Sequence, residues 1–152
     1  MKYSDKFYDD LVCNWPREND LVRLAYHNES LIGAITGRRE TYDPSEPTKV
    51  KSILLPTENH KTLEKEHVRV YISTLAVLAP YRRRGAASKL LQAVIDSAKK
   101  DGPFDEIYVH VHVDNASAIE LYKKFGFEIT DTLTGYYRDI TPPDCYFMVK
   151  KL

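Results

Sequence analysis

The sequence predicts one α/β domain: a mixed central sheet flanked by helices, with a ligand cleft near its middle. Three observations carry that expectation. A β-branched run from Val68 to Val77 meets a basic, small-residue turn and continues into an amphipathic helix. The stretch Glu106 to Val113 then alternates strictly, as a strand with two different faces does. A second helical pattern and two more β-rich runs close the chain, and strands that alternate with helices open a crevice at the strand ends.

The whole chain sets limits first. Its 152 residues are the size of one domain able to bury a core without disulfides. Lys plus Arg equals Asp plus Glu, 22 each, so no global field selects nucleic acid or a membrane surface. Any charged ligand is met locally. Cys13 and Cys145 stand alone, matching neither zinc spacing nor a disulfide framework, which points to a reducing, cytoplasmic setting with the nucleus also open to it. Met1-Lys-Tyr-Ser-Asp5 has no apolar leader core, and no segment approaches the roughly 20 apolar residues of a membrane span.

In chain order, Ser4 and Asp5 can cap a short helix to about Asn14, with Phe7, Tyr8, Leu11 and Val12 on one side. Val22 to Tyr26 and Leu31 to Thr36 flank the polar turn His27-Asn-Glu-Ser30, which makes a hairpin. Residues 40–66 hold three prolines, many charges and little periodicity. They read as a solvated loop inserted between two strands, with a lid or partner-binding element as the alternative. Pro80 stops the next strand, and Leu90, Leu91, Val94 and Ile95 mark one face of the helix that follows. Asp101-Gly-Pro103 ends it. On the strand beyond, Tyr108, His110 and His112 share one face, and Ile107, Val109, Val111 and Val113 the other. Asp114 or Asn115 caps the second helix, Ile119, Tyr122 and Phe125 face inward, and Gly126 stops it. Phe127 to Thr132 is strand, Gly135 to Tyr137 turn, and Cys145 to Val149 a last strand.

The chemistry begins at the first strand-to-helix turn. Gly85, Ala86 and Ala87 leave the N–H groups of the helix start uncovered, and Arg82, Arg83 and Arg84 surround them with positive charge. That is an anion site, suited to a diphosphate. Read out of context, three arginines are also a nuclear-import or nucleic-acid patch. His110 and His112 raise a His-x-His metal pair, but no carboxylate or cysteine stands at a matching spacing, so no metal is expected.

Arg82-x-x-Gly85-x-Ala87 resembles the Arg/Gln-x-x-Gly-x-Gly/Ala pattern of the GCN5-related N-acetyltransferases (GNATs). Leu78-Ala-Pro-Tyr-Arg-Arg83 before it and Asn115-Ala-Ser-Ala-Ile-Glu-Leu-Tyr-Lys-Lys-Phe-Gly-Phe127 after it are similar to that family too. Asp5-Lys-Phe-Tyr8, Leu24-Ala-Tyr26, Ile107-Tyr-x-His-Val111 and Tyr136-Tyr137 resemble its San-type N-terminal acetyltransferases, the branch of the NatE catalytic subunit.

The resemblance implies a GNAT-type sheet without the family's usual first strand and helix, since it begins near Tyr3. It implies acetyl-CoA as cosubstrate, gripped by Leu75, Val77, Arg82, Arg83, Arg84, Gly85, Ala87, Ser88, Asn115 and Tyr122. Tyr71 and His110 are implied as the pair that takes the proton from the attacking amine, and Tyr122 as a donor to the departing thiolate. Tyr3, Arg38, Ser73, Tyr136 and Tyr137 are implied around a peptide that starts with Met and an apolar residue. Ser73 stands where relatives carry a bulkier methionine, and Ala87 where many carry glycine. Plainer readings stay open: His110 as a half-buried strand histidine, and Tyr71 and Tyr122 as packing aromatics. A scaffold subunit docking on the ribosome-associated NatA complex, or an acetyltransferase for lysine or small amines, are the alternative functions.

Overall fold

The computed structural model describes residues 21–54 and 66–152. Its described part opens on a hairpin of β1 (Val22–His27) and β2 (Ser30–Tyr42). The turn residues Asn28 and Glu29 both take positive φ, 47° and 66°, the backbone that lets a two-residue turn follow the sheet's twist. β3 (Ser52–Leu54) pairs with Arg39 to Thr41 on the same side of β2 as β1, farther along the strand, and β4 (His67–Val77) lies along its other edge. Helix α1 (Ala86–Asp101) crosses to β5 (Glu106–His112), which runs parallel to β4. Helix α2 (Ala116–Lys124) leads to β6 (Glu128–Leu133), and β7 (Cys145–Lys151) inserts between β5 and β6. One seven-stranded sheet results, with the path β1-β2-β4-β5-β7-β6 and β3 off β2.

The alternation along β5 sorts the interior into two parts. Ile107, Val109 and Val111 join Val70, Ile72, Leu91, Val94 and Met148 in the main apolar core. At about 1.5 to 3 kcal/mol for each large side chain removed from water, this side is the main source of stability. Tyr108, Phe147 and Val149 form a smaller cluster with Tyr71 packed against it.

Parallel pairing of β4 with β5 covers only Arg69↔Glu106, Val70↔Ile107 and Tyr71↔Tyr108. Beyond that point β4 continues to Val77 and β5 to His112 with no ladder between them. The sheet therefore splits in the middle, and the β4 edge that faces β5 is left with unpaired main-chain groups.

Several expectations shift. The segment expected as a loop from residue 40 begins as strand: β2 carries Glu40, Thr41 and Tyr42 inside, each no more than 5% exposed. Lys51 N–H then donates to Thr41 O, and β3 adds a further pairing, so the irregular stretch after β2 is shorter than the composition suggested. Helix α1 starts at Ala86 with Gly85 as its left-handed N-cap (φ 84°). The last strand runs to Lys151. Gly126, with φ 83°, follows α2 as expected of a helix stop. The predicted helix to Asn14, Tyr3, Cys13 and any first strand lie outside the described residues. Among the described residues no helix is long and apolar enough to cross a membrane.

Candidate active site

Tyr71 meets Arg38 across the β2 ladder and Tyr108 across the β5 ladder, at the last pair before the sheet splits. His110 stands two residues beyond Tyr108 on the same face, so it projects where the strands part. The Tyr71 hydroxyl lies 3.3 Å from His110 Nδ1, and the Tyr136 hydroxyl 3.2 Å from the same nitrogen. Tyr136 belongs to the loop between β6 and β7, and its ring lies 4.6 Å from the imidazole. Tyr71 stacks on Tyr108 at 4.8 Å, and the Arg38 guanidinium covers the Tyr71 ring at 4.8 Å. These contacts hold Tyr71 from both sides.

Burial dominates the ionisation of this pair. It pushes the imidazole of His110 down to about 4, with the positive charges of Arg69 and Arg38 adding to the effect. Burial also raises the Tyr71 phenol, helped by Tyr136 and Tyr108. At neutral pH the site holds a neutral histidine and an un-ionised tyrosine, with Nδ1 sharing hydrogen bonds with the two phenol hydroxyls. His110 Nε2 is buried and has no hydrogen-bond partner among the described residues.

Ser73, on the same face of β4, is tied to Thr36 of β2: their hydroxyls are 2.7 Å apart and the Ser73 O–H reaches Thr36 O at 3.2 Å. Tyr137 donates its N–H to Pro143 O, and its ring meets Tyr136 edge-on at 5.0 Å. Arg38, Tyr71, His110 and Tyr136 are thus brought into direct contact, and Tyr137 leans on Tyr136. Tyr3 lies outside the described residues. Tyr122 belongs to the main core cluster, 4% exposed and 5.2 Å from Phe127, whereas Tyr71 packs against the smaller one.

At the far end of the split, the loop into α1 has the shape an anion needs. Arg83 and Gly85 take positive φ, 62° and 84°, on either side of Arg84, a backbone that turns successive N–H groups toward one point. Among the described residues no side chain caps α1, and no acidic residue sits in its first turn. A Cβ on Gly85 would meet nothing within 4 Å, so its left-handed φ, and not lack of space, asks for glycine. Arg82 folds back, Nε donating to Val77 O at 2.8 Å, which anchors the loop to the end of β4. Arg83 and Arg84 are exposed beside Ala87 and Ser88 of the first turn. Asn115 instead caps its own helix, its side-chain oxygen accepting from Ala118 N–H at 3.2 Å. Leu75 and Val77 pair with Ile35 and Gly33 on the β2 side, and their other edge faces the split.

His112 has a structural task. Its Nε2–H donates to Pro142 O at 2.7 Å and its Nδ1 accepts from Asp114 N–H, so it pins the β6–β7 loop. Among the described residues no group of three or more His, Cys, Asp or Glu is placed to hold a metal.

Sequence reading missed three residues beneath the site: Glu40, Arg69 and Tyr108. A signal was present. Stepping back by two from Tyr71 lands on Arg69 amid Val68 and Val70, and an arginine that a strand buries needs a carboxylate partner.

With this geometry in hand, the likenesses to known proteins are specific. Residues 1–127 match the Acetyltransferase (GNAT) family model. N-alpha-acetyltransferase 50 of Danio rerio is 39% identical over 152 residues, covering 100% of this chain and 75% of that protein. The probable N-acetyltransferase san of Drosophila melanogaster is 38% identical over 152 residues, 100% of this chain and 68% of that protein. Among solved structures, Arabidopsis thaliana Naa50 in complex with the bisubstrate analogue CoA-Ac-MVNAL superposes with a TM-score of 0.74 at 40% identity, covering 100% of this chain and 83% of that one. A sheet split beside a half-buried Tyr–His pair and an arginine-flanked helix start without a side-chain cap thus accompanies sequence identity along the whole chain: it belongs to the GNAT acetyltransferase family, among the N-alpha-acetyltransferases of the Naa50 and san type.

Proposed function

We propose that the protein transfers acetyl from acetyl-CoA to the α-amino group of peptides beginning with Met and a hydrophobic residue, by direct attack within a ternary complex. The observation that carries this reading is the split between β4 and β5, with Tyr71 and His110 at its closed end and the α1 N-terminus at its mouth. The diphosphate of acetyl-CoA lies against the N–H groups from Gly85 onward, with Arg83 and Arg84 as counter-ions. The pantetheine follows the open β4 edge past Val77 and Leu75, with Asn115 beside it. The thioester is then delivered to the Tyr71 end.

Acid–base arithmetic decides the order of events. A free α-ammonium titrates near 8, well above a histidine held at about 4, so His110 does not deprotonate the incoming ammonium. The peptide enters as the neutral amine. Once the C–N bond forms, that nitrogen becomes strongly acidic, and the Tyr71–His110 pair receives its proton, directly or through one water. Main-chain N–H groups of the open edge stabilise the oxyanion, and Tyr122 supplies a proton to the thiolate.

Arg38, Ser73, Tyr136 and Tyr137 form the peptide side, and Tyr3, outside the described residues, completes the proposed set. Support for Met at the first position comes from the Arabidopsis neighbour, whose analogue carries the peptide MVNAL. The expected setting is cytoplasmic, with the NatA complex and ribosome as docking partners. The test offers acetyl-CoA with Met-Leu, Ser-Ser and internal-lysine peptides. Transfer to Met-Leu alone is expected. Transfer to lysine alone overturns the acceptor, and no transfer with no acetyl-CoA-dependent rise in melting temperature points to the scaffold alternative.

A further inference from the structure

Beneath the Tyr71–His110 pair lies a carboxylate with no exposure at all. Glu40 Oε1 accepts from Arg38 Nε at 2.7 Å, and Oε2 accepts from the Tyr108 hydroxyl at 2.5 Å. Those two donors are the groups that grip Tyr71, Arg38 from above its ring and Tyr108 by stacking, and Tyr108 also meets His110 edge-on at 5.6 Å. One side chain thereby fixes both walls.

We propose that Glu40 is the positioning residue of this active site: it locks Arg38 and Tyr108, and through them sets the Tyr71 hydroxyl and the His110 ring for proton transfer. The inference rests on the acetyltransferase reading and adds a residue to it. Glu40 touches neither substrate nor reacting atom.

The cation beside this buried carboxylate is Arg69, equally inaccessible, whose Nε lies 3.7 Å from Glu40 Oε2. Its guanidinium sits 4.1 Å from the Tyr108 ring centre and 4.5 Å from that of Tyr42. Nη2 donates to Lys49 O at 3.0 Å and Nη1 to Pro47 O, and Nη1 also reaches Glu106. The stretch after β2 thus supplies carbonyls to the cation that holds Glu40. Paired buried charges keep one geometry because any other leaves an ion uncompensated, and misplacing a catalytic group by about 1 Å can cost 100-fold in rate.

Two conservative variants test this. Glu40→Gln keeps the shape but removes the charge, and Tyr108→Phe keeps the stacked ring but removes the hydroxyl. Each is expected to lower kcat, Glu40→Gln by about 10- to 100-fold, with the KM for acetyl-CoA within about twofold of wild type. The double variant is expected to lose much less than the product of the two losses, because both act through one hydrogen bond. The proposal is overturned if Glu40→Gln melts cooperatively, keeps its coenzyme A-dependent stabilisation and turns over within about twofold of wild type, or if the two losses simply multiply. Should Glu40→Gln fail to fold, Tyr108→Phe decides, with unchanged kcat overturning it. If the wild type acetylates no peptide, the acetyltransferase reading fails separately. The ring resonances of His110 then answer the positioning question: displacement in Tyr108→Phe supports it, and identity with wild type refutes it.

Discussion

The two faces of the sheet are built from the same strands by opposite rules. On the helix side, β4 and β5 present Val70, Ile72, Ile107, Val109 and Val111, interchangeable apolar groups that need only fill space. On the other side, the intervening residues are Arg69, Tyr71, Ser73, Tyr108 and His110, and nearly every one has a named partner at a set distance. One face derives its stability from area, the other its function from direction. A strand with a period of two carries both without compromise.

The sharpest way to break this comparison is to damage one face and watch the other. His110→Ala should lower kcat by about 10² to 10⁴, the usual contribution of a positioned proton acceptor. Its acetyl-CoA-dependent stabilisation should stay intact. Tyr71→Phe should fall in the same direction by a smaller factor, since the ring still packs between Arg38 and Tyr108. Survival of full turnover in both variants would remove this face from the chemistry. Leu91→Ala, on the helix side and without exposure, should cost about 2 to 5 kcal/mol of stability. Its turnover per folded molecule, measured well below its melting point, should match wild type.

Titration separates the faces further. His110 has its pKa lowered to about 4 in the fold against an ordinary value of 6.5, so the unfolded chain binds the extra proton first. Stability from this residue is therefore present above about 6.5 and is lost as the pH falls through that value toward 4. Denaturant midpoints for wild type and His110→Asn should converge as pH drops from 7 to about 5, because only the wild type takes up that proton on unfolding. In the rate profile, no loss of activity centred on 6.5 should come from this histidine. The decline on the acid side should track protonation of the peptide amine, near 8. A limb at 6.5 that vanishes in His110→Asn would show the imidazole to be solvated and charged in the working enzyme.

The same contrast explains what was legible in the sequence. The apolar face announces itself through periodicity, so the β5 alternation, the α1 stripe and the Gly126 stop were all readable. Tyr71, His110 and the Gly85 turn were readable because a family pattern surrounds them. Glu40 and Arg69 were not, because a charge that pairs across strands looks like a solvated charge until the strands are placed side by side. Residues 40 to 42 therefore read as loop, although Tyr42 stacks on Arg69 inside. Ser73, which stands where relatives carry a bulkier methionine, has its hydroxyl 2.7 Å from that of Thr36, a contact no spacing in the sequence announces.

The smallest expected effects fall on the helix starts, where the division between the faces is least clean. α2 is closed by its own side chain, Asn115 accepting from Ala118 N–H, whereas α1 has no side-chain cap. Asn115→Ala should cost about 1 kcal/mol of stability through the lost cap, with only a small rise in the KM for acetyl-CoA from the side chain proposed beside the pantetheine. At α1 the same kind of change should read out differently. Gly85→Ala forces a Cβ into a left-handed backbone, at a cost of about 1 kcal/mol, in a place where the added methyl meets no neighbour. Relief of that strain rotates the N–H groups proposed to hold the diphosphate, so the effect should appear as a several-fold rise in the KM for acetyl-CoA, with kcat at saturation retained. Equal responses of the two helix starts in a melting assay with and without coenzyme A would mean that α1 is left open for no ligand.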